Sequence, residues 1–177
     1  MKHHAPNYGP ENCFSVAGQG REEDVLETSQ LYKLEARQTA GALLCLEVTL
    51  PPRASVPPHS HELEDETFYV VRGSARFVGS GLQHPITLEA GGLFYSPRGH
   101  LHGLYNVGDT AALLFVTLTP GINIQEMFNE LAVLPSRART KWDDAVTQLI
   151  CDRFGVRIAR SQQATASVGA KARWLAP

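Results

Sequence analysis

The sequence predicts an all-β barrel carrying two C-terminal α-helices, and three observations carry that expectation. Short strand-like runs follow one another from Leu31 to Thr119; Gly, Pro, Asn and Asp separate them at turn spacing; and after Pro120 the apolar period becomes helical. The runs are LYKLEA, ALLCLEVTL, ETFYVVRGSARFV, PITLEA, LFYSP, HGLYNV and AALLFVTLT, the pattern of a β-sandwich or barrel. In INIQEMFNELAVL, the residues Ile122, Ile124, Met127, Phe128, Leu131 and Leu134 fall mostly at helical spacing. DDAVTQLICDRFGV opens with two acids and meets Gly155 near its end, as a second helix should. Both helices are expected on the outside of the barrel.

A chain of 177 residues is long enough for one domain with a sizeable core. We divide it into an irregular N-terminal arm (1–30) suited to contact with a second subunit, a barrel (31–120), the helices (121–160) and a loose tail (161–177). With 16 basic and 18 acidic residues and a net charge of -2, the chain has no basic stripe, which argues against nucleic acid and anionic membranes as partners. No apolar run approaches the roughly 20 residues of a membrane span, and MKHHAPNYGPENC lacks the apolar centre of a secretion signal. The expected location is the cytoplasm, and the sparse Cys13, Cys45 and Cys151, without a CxxC pair, fit a reducing compartment.

The chemistry concentrates in PPHSHELEDETFYVVRG, residues 57–73. Residues i and i+2 of a strand share a face, so His59 and His61 aim at one point with Ser60 turned away. An acid joins them from Glu62, Glu64, Asp65 or Glu66. Glu62 neighbours His61 and faces the other way, while Glu64 and Asp65 fall in what reads as a solvated polar turn. Glu66 opens ETFYVVRG and by period two shares a face with Phe68 and Val70. A carboxylate on an apolar face is costly to bury, and a metal ion is a common remedy, so Glu66 is the chosen acid.

A second cluster lies in GGLFYSPRGHLHGLYN. His100 and His102 also stand at i and i+2; His102 is preferred because it lies in the apolar run shared with Leu104, whereas His100 follows a Pro-Arg-Gly turn. His59, His61, Glu66 and His102 together make three nitrogens and one oxygen, a set for one divalent transition-metal ion (Fe, Mn, Ni, Co, Cu or Zn) with positions left for water or substrate. Phe68, Val70 and Leu104 share faces with these ligands and either line a substrate cavity or fill the core. Gly73, Gly91 and Gly99 read as turn residues, Asn106 as a backbone-binding residue at the barrel edge, and the inward member of Phe94 and Tyr95 is left open.

These residues resemble the two motifs of the cupin superfamily. The first is HxH, four residues, Glu, six residues, Gly, met by His59, His61, Glu66 and Gly73; the second is met by Gly91, Pro97, Gly99, His102 and Asn106. Arg53 stands where the first motif usually begins with glycine, and Gly92 where an acid often follows the first glycine of the second. The resemblance implies a double-stranded β-helix, or jelly-roll barrel, with the four ligands inside. A looser likeness to bacterial quercetin dioxygenase-like single-domain cupins implies a dioxygenase acting with dioxygen on a flavonol-like or other small enolic or aromatic substrate. Glu66 then serves as ligand and as base for the substrate hydroxyl. The alternatives are an oxygen-independent isomerase or lyase and a non-catalytic binding module. A homodimer is expected, because small cupins commonly pair through sheet edges.

Overall fold

The alternation that marks strands in the sequence becomes, in the folded chain, two antiparallel sheets with their apolar faces together. The structure is a computed structural model and describes residues 12–134 and 142–159. Its strands are β1 (Arg21–Val25), β2 (Thr28–Leu34), β3 (Leu44–Leu50), β4 (Ser55–His61), β5 (Asp65–Arg72), β6 (Ser74–Gly79), β7 (Ile86–Glu89), β8 (Leu93–Ser96), β9 (His102–Tyr105), β10 (Ala112–Thr119) and β11 (Val156–Ile158). The helices are α1 (Ile122–Ala132) and α2 (Ala145–Arg153). One sheet runs β1-β2-β3-β10-β5-β8 and the other β11-β4-β9-β6-β7, the jelly-roll arrangement expected.

The inner faces follow period two. On β10, Ala112, Leu114, Val116 and Leu118 are buried while the residues between them are half-buried. On β5, Glu66, Phe68 and Val70 point inward and Tyr69 and Val71 outward. Phe94 is the inward member of its pair, stacking on Phe77 at 4.7 Å, whereas Tyr95 is 53% exposed. Gly73, Gly91 and Gly99 hold φ of 78°, 94° and 76°, and the Gly99 amide donates to the His61 carbonyl, tying the second motif to the first.

Three expectations are corrected. The barrel begins at Arg21, not at residue 31: β1 and β2 form a hairpin inside what reads as the arm. Its pattern is hard to see because the buried row of β2 contains Thr28 and Gln30 beside Tyr32, and β1 is largely acidic. The helical segment ends in a strand, β11, that pairs with β4 opposite both motif histidines. Nor does α1 lie wholly outside the barrel, since Ile124, Met127 and Leu131 belong to the core. α2 starts as expected, with the Asp144 side chain accepting from the Val146 amide. The tail 161–177, His3 and His4 lie outside the described residues.

Candidate metal centre

Three strands deliver the four predicted ligands. β4 carries His59 and His61, and its register breaks between Val56 and His59 where Pro57 and Pro58 cannot donate to a ladder. β9 sets His102 directly across from His59, and β5 brings Glu66 inward from the other sheet. All four are buried, and one ligand atom from each lies within 4.8 Å of every other. The His59 Nε2 is 3.1 Å from the His61 Nε2, and the Glu66 Oε2 lies 3.2 Å from the His61 Nε2 and 2.9 Å from the His102 Nε2.

The opposite nitrogen of each ring is anchored to oxygen. The His59 Nδ1–H donates to the Pro57 carbonyl at 2.9 Å. The His102 Nδ1–H is shared between Ser96 Oγ at 2.8 Å and the His100 carbonyl at 3.1 Å. The His61 Nδ1 faces Glu64 Oε2 at 3.4 Å, close enough for charge attraction but too poorly aligned for a full hydrogen bond. With the Nδ1 hydrogens directed outward, the Nε2 lone pairs and the Glu66 carboxylate face one point. Such a group repels itself unless a cation lies there. Three of its edges, at 2.9–3.2 Å, suit donors about 2.1 Å from a common ion, so the residues fit a metal site.

In the metal-free protein a proton takes part of that role. Burial alone would lower the His61 pKa, but Glu64 and Glu66 outweigh it and raise the value to about 9. Burial, with His102 and His61 nearby, drives His59 the other way and keeps it neutral. Glu66 is opposed by burial yet held far below the usual carboxylate range by His102 and His61.

The structure also sorts the rival residues. The His100 ring is exposed, and the residue serves the site through its carbonyl; His84 is exposed as well. Glu62 is exposed and pairs with Arg157, and Asp65 opens β5 and takes a bidentate contact from Arg98. Glu64 corrects the solvated-turn expectation: it is 1% exposed, and its Oε1 accepts from the Asn123 Nδ2 of α1 at 2.8 Å. Chain reversal after His61 turns it back toward that ring, which a strand-parity argument does not anticipate. Asn106 behaves as expected, donating to the carbonyls of Leu50, Pro51 and Thr110.

Beside the cluster lies a cavity of about 60 Å³ whose wall includes His59, His61, Glu66, Phe68 and Leu104. Val70 does not reach it; fully buried, it fills the core instead. Sequence reasoning missed the rest of the lining, where β2 supplies Thr28 and Gln30, α1 supplies Met127 and Phe128, and Trp142 stacks over His59 with ring centroids 6.5 Å apart. Thr28 Oγ1 donates to the Val25 carbonyl, but Gln30 Oε1 and Trp142 Nε1 are buried without a hydrogen-bond partner among the described residues.

Comparison with known proteins agrees with the fold and the motifs. The cupin-domain family profile matches residues 46–118. The chain is 33% identical over 101 residues to an oxalate-binding protein of Thermotoga maritima, covering 57% of this chain and 78% of that protein. It is 31% identical over 121 residues to germin-like protein subfamily T member 2 of Arabidopsis thaliana, spanning 54% of that relative's length. In structure it is similar to KdgF from Halomonas sp., with a TM-score of 0.55 and 22% identity over 62% of this chain and 94% of that one. With its jelly-roll topology and both histidine motifs converging on one point, the chain belongs to the cupin superfamily.

Proposed function

We propose that this cupin is a metal-dependent dioxygenase of a small enolic or hydroxy-carbonyl compound. The observation that carries the reading is the buried His59–His61–Glu66–His102 cluster forming part of the wall of a largely apolar cavity. A divalent ion held there would supply Lewis acidity and open positions for substrate and dioxygen. The protein's own part is to position and to move a proton. Glu66 is ionised at neutral pH and can accept the substrate hydroxyl proton, although its low basicity requires that hydroxyl to be acidified first. Phe68 and Leu104 exclude water from the reacting face.

Cavity size narrows the substrate. About 60 Å³ is far below the ~300–1,000 Å³ of pockets that take drug-sized ligands, so a compact enolic compound is favoured over a flavonol. The test is metal content together with oxygen consumption. Metal near one per chain, with oxygen uptake on a compact enol or hydroxy acid, is the expected result; bound metal with no uptake across such compounds would sink the oxygenase.

Binding without turnover is the second reading, and the oxalate-binding relative favours it. In that case ligand would stabilise the metal-loaded protein without being consumed. Homodimer formation is part of the proposal too, supported by the outward-facing Tyr69, Leu93 and Tyr95 on neighbouring β5 and β8; a monomeric sedimentation coefficient at micromolar concentration would remove it.

A further inference from the structure

Apart from the metal-ligand set, the cavity wall is almost entirely apolar, and its exceptions are unevenly satisfied. Thr28 spends its hydroxyl hydrogen on its own strand turn. Gln30 is 5% exposed and lines the cavity, yet among the described residues its Oε1 has no partner; the Trp142 indole Nε1 is likewise buried and unpaired among them. An orphaned buried acceptor and an orphaned donor on residues lining one cavity are destabilising to the empty protein and are relieved by whatever pairs with them. One offers a lone pair, the other a hydrogen.

We propose that Gln30 and Trp142 form a polar subsite that selects a short 2-hydroxy acid, whose hydroxyl donates to Gln30 Oε1 and whose carboxylate accepts from Trp142 Nε1. Size and hydrogen bonding agree. A cavity of about 60 Å³ favours an acid of a few non-hydrogen atoms, such as glycolate, over a drug-sized ligand. Glycolate carries a hydroxyl hydrogen for Gln30 Oε1, whereas the oxalate dianion has none. This inference deepens the proposed function and rests on its reading that a small molecule meets the cluster inside this cavity. Gln30 and Trp142 act here as specificity residues and not as metal ligands.

The experiment is anaerobic titration calorimetry of the full chain loaded with Ni²⁺, using glycolate, lactate and oxalate. Wild type is expected to bind glycolate about tenfold more tightly than oxalate. Gln30→Leu, which removes the amide at similar volume, is expected to weaken glycolate about tenfold while leaving Ni²⁺ stoichiometry unchanged and thermal stability equal or higher. Trp142→Phe removes only the indole N–H as a hydrogen-bonding group and should weaken glycolate and oxalate alike, which keeps the proposal testable should Gln30→Leu fail to fold. Glycolate affinity within about twofold of wild type in both variants would mean that the two groups serve a structural water only, and would overturn the proposal. So would wild type that prefers oxalate or binds none of the three acids. Oxygen uptake is measured on separate samples, where its absence counts against the oxygenase reading while an intact Gln30 effect still upholds this subsite.

Discussion

The motif wall of the cavity and the rest of its lining are held by different rules. On the motif wall Nδ1 of His59 and of His102 each has an oxygen acceptor, the His61 Nδ1 is held only by charge attraction to the Glu64 carboxylate, and the Nε2 atoms converge with Glu66. In the rest of the lining, from β2, α1 and Trp142, Gln30 Oε1 and Trp142 Nε1 have no hydrogen-bond partner among the described residues. Oriented rings hold a fixed point, which suits an ion of strict geometry; untied atoms wait for a partner that comes and goes. The difference suggests a division of labour in which the motif wall fixes the chemistry and the rest of the lining chooses the ligand.

The largest expected effect breaks the motif wall outright. His59→Ala and Glu66→Ala should each reduce bound metal from near one per chain to a small fraction of that, measured by elemental analysis after dialysis. Glu66→Ala also removes the counter-charge that helps keep His61 protonated in the metal-free state. Retention of full metal by both variants would show that the ion binds elsewhere.

Acidity changes the same wall without mutation. With a pKa raised to about 9, His61 carries a proton at neutral pH that a metal must displace. Metal affinity should therefore fall about tenfold for each pH unit below about 9, and binding at neutral pH should release about one proton, read as the buffer dependence of the calorimetric enthalpy. For the metal-free protein the sign is opposite. The raised folded-state pKa contributes stability that is fully present below 6.5 and is lost as pH rises through about 9, so the metal-induced rise in Tm should be greater at pH 9 than at pH 6.5. A pH-independent metal affinity across that window would contradict the assignment of the proton.

A smaller effect comes from the one charged anchor behind a ligand. Glu64→Gln keeps the shape and the Asn123 contact but removes the charge facing His61, and a loss of about 10–100-fold in metal affinity with an unchanged fold is expected. Asn123→Ala should act in the same direction more weakly, because Asn123 holds Glu64 and also the Phe154 carbonyl and so links both C-terminal helices to the site. Altered Co²⁺ absorption in Glu64→Gln would separate repositioning of His61 from general loosening.

What the sequence disclosed follows the same division. The ligands were legible because strand period and fixed spacing carry His59, His61, Glu66 and His102 to one point almost regardless of the rest of the chain. Glu64 was not, since its orientation depends on how the chain reverses after β4. Gln30 and Trp142 were invisible for a further reason. One lies in a strand whose buried row is partly polar, and the other precedes a helix without any periodic pattern; only tertiary packing brings them to the cavity that His59 lines. The helix α2 was legible through its capping acid, whereas the three residues of β11 are too short for any period to show.

The smallest effect tests whether departures from the motifs touch the site at all. Arg53, at the position where the first cupin motif usually has glycine, holds φ of 63°, so the turn before β4 keeps the left-handed backbone that glycine would adopt freely. For an L-residue that conformation costs about 1–2 kcal/mol, partly offset because arginine loses less backbone freedom on folding than glycine. Arg53→Gly should therefore raise stability by about 0.5–1 kcal/mol in urea denaturation at unchanged m-value. The exposed Arg53 has no contact with the cluster, so metal affinity should not move. A gain in stability with unchanged affinity would place the turn outside the motif wall's function; a change in affinity would mean that the path of β4 into His59 is set by that turn, and that the ligand geometry depends on more of the chain than its four donors.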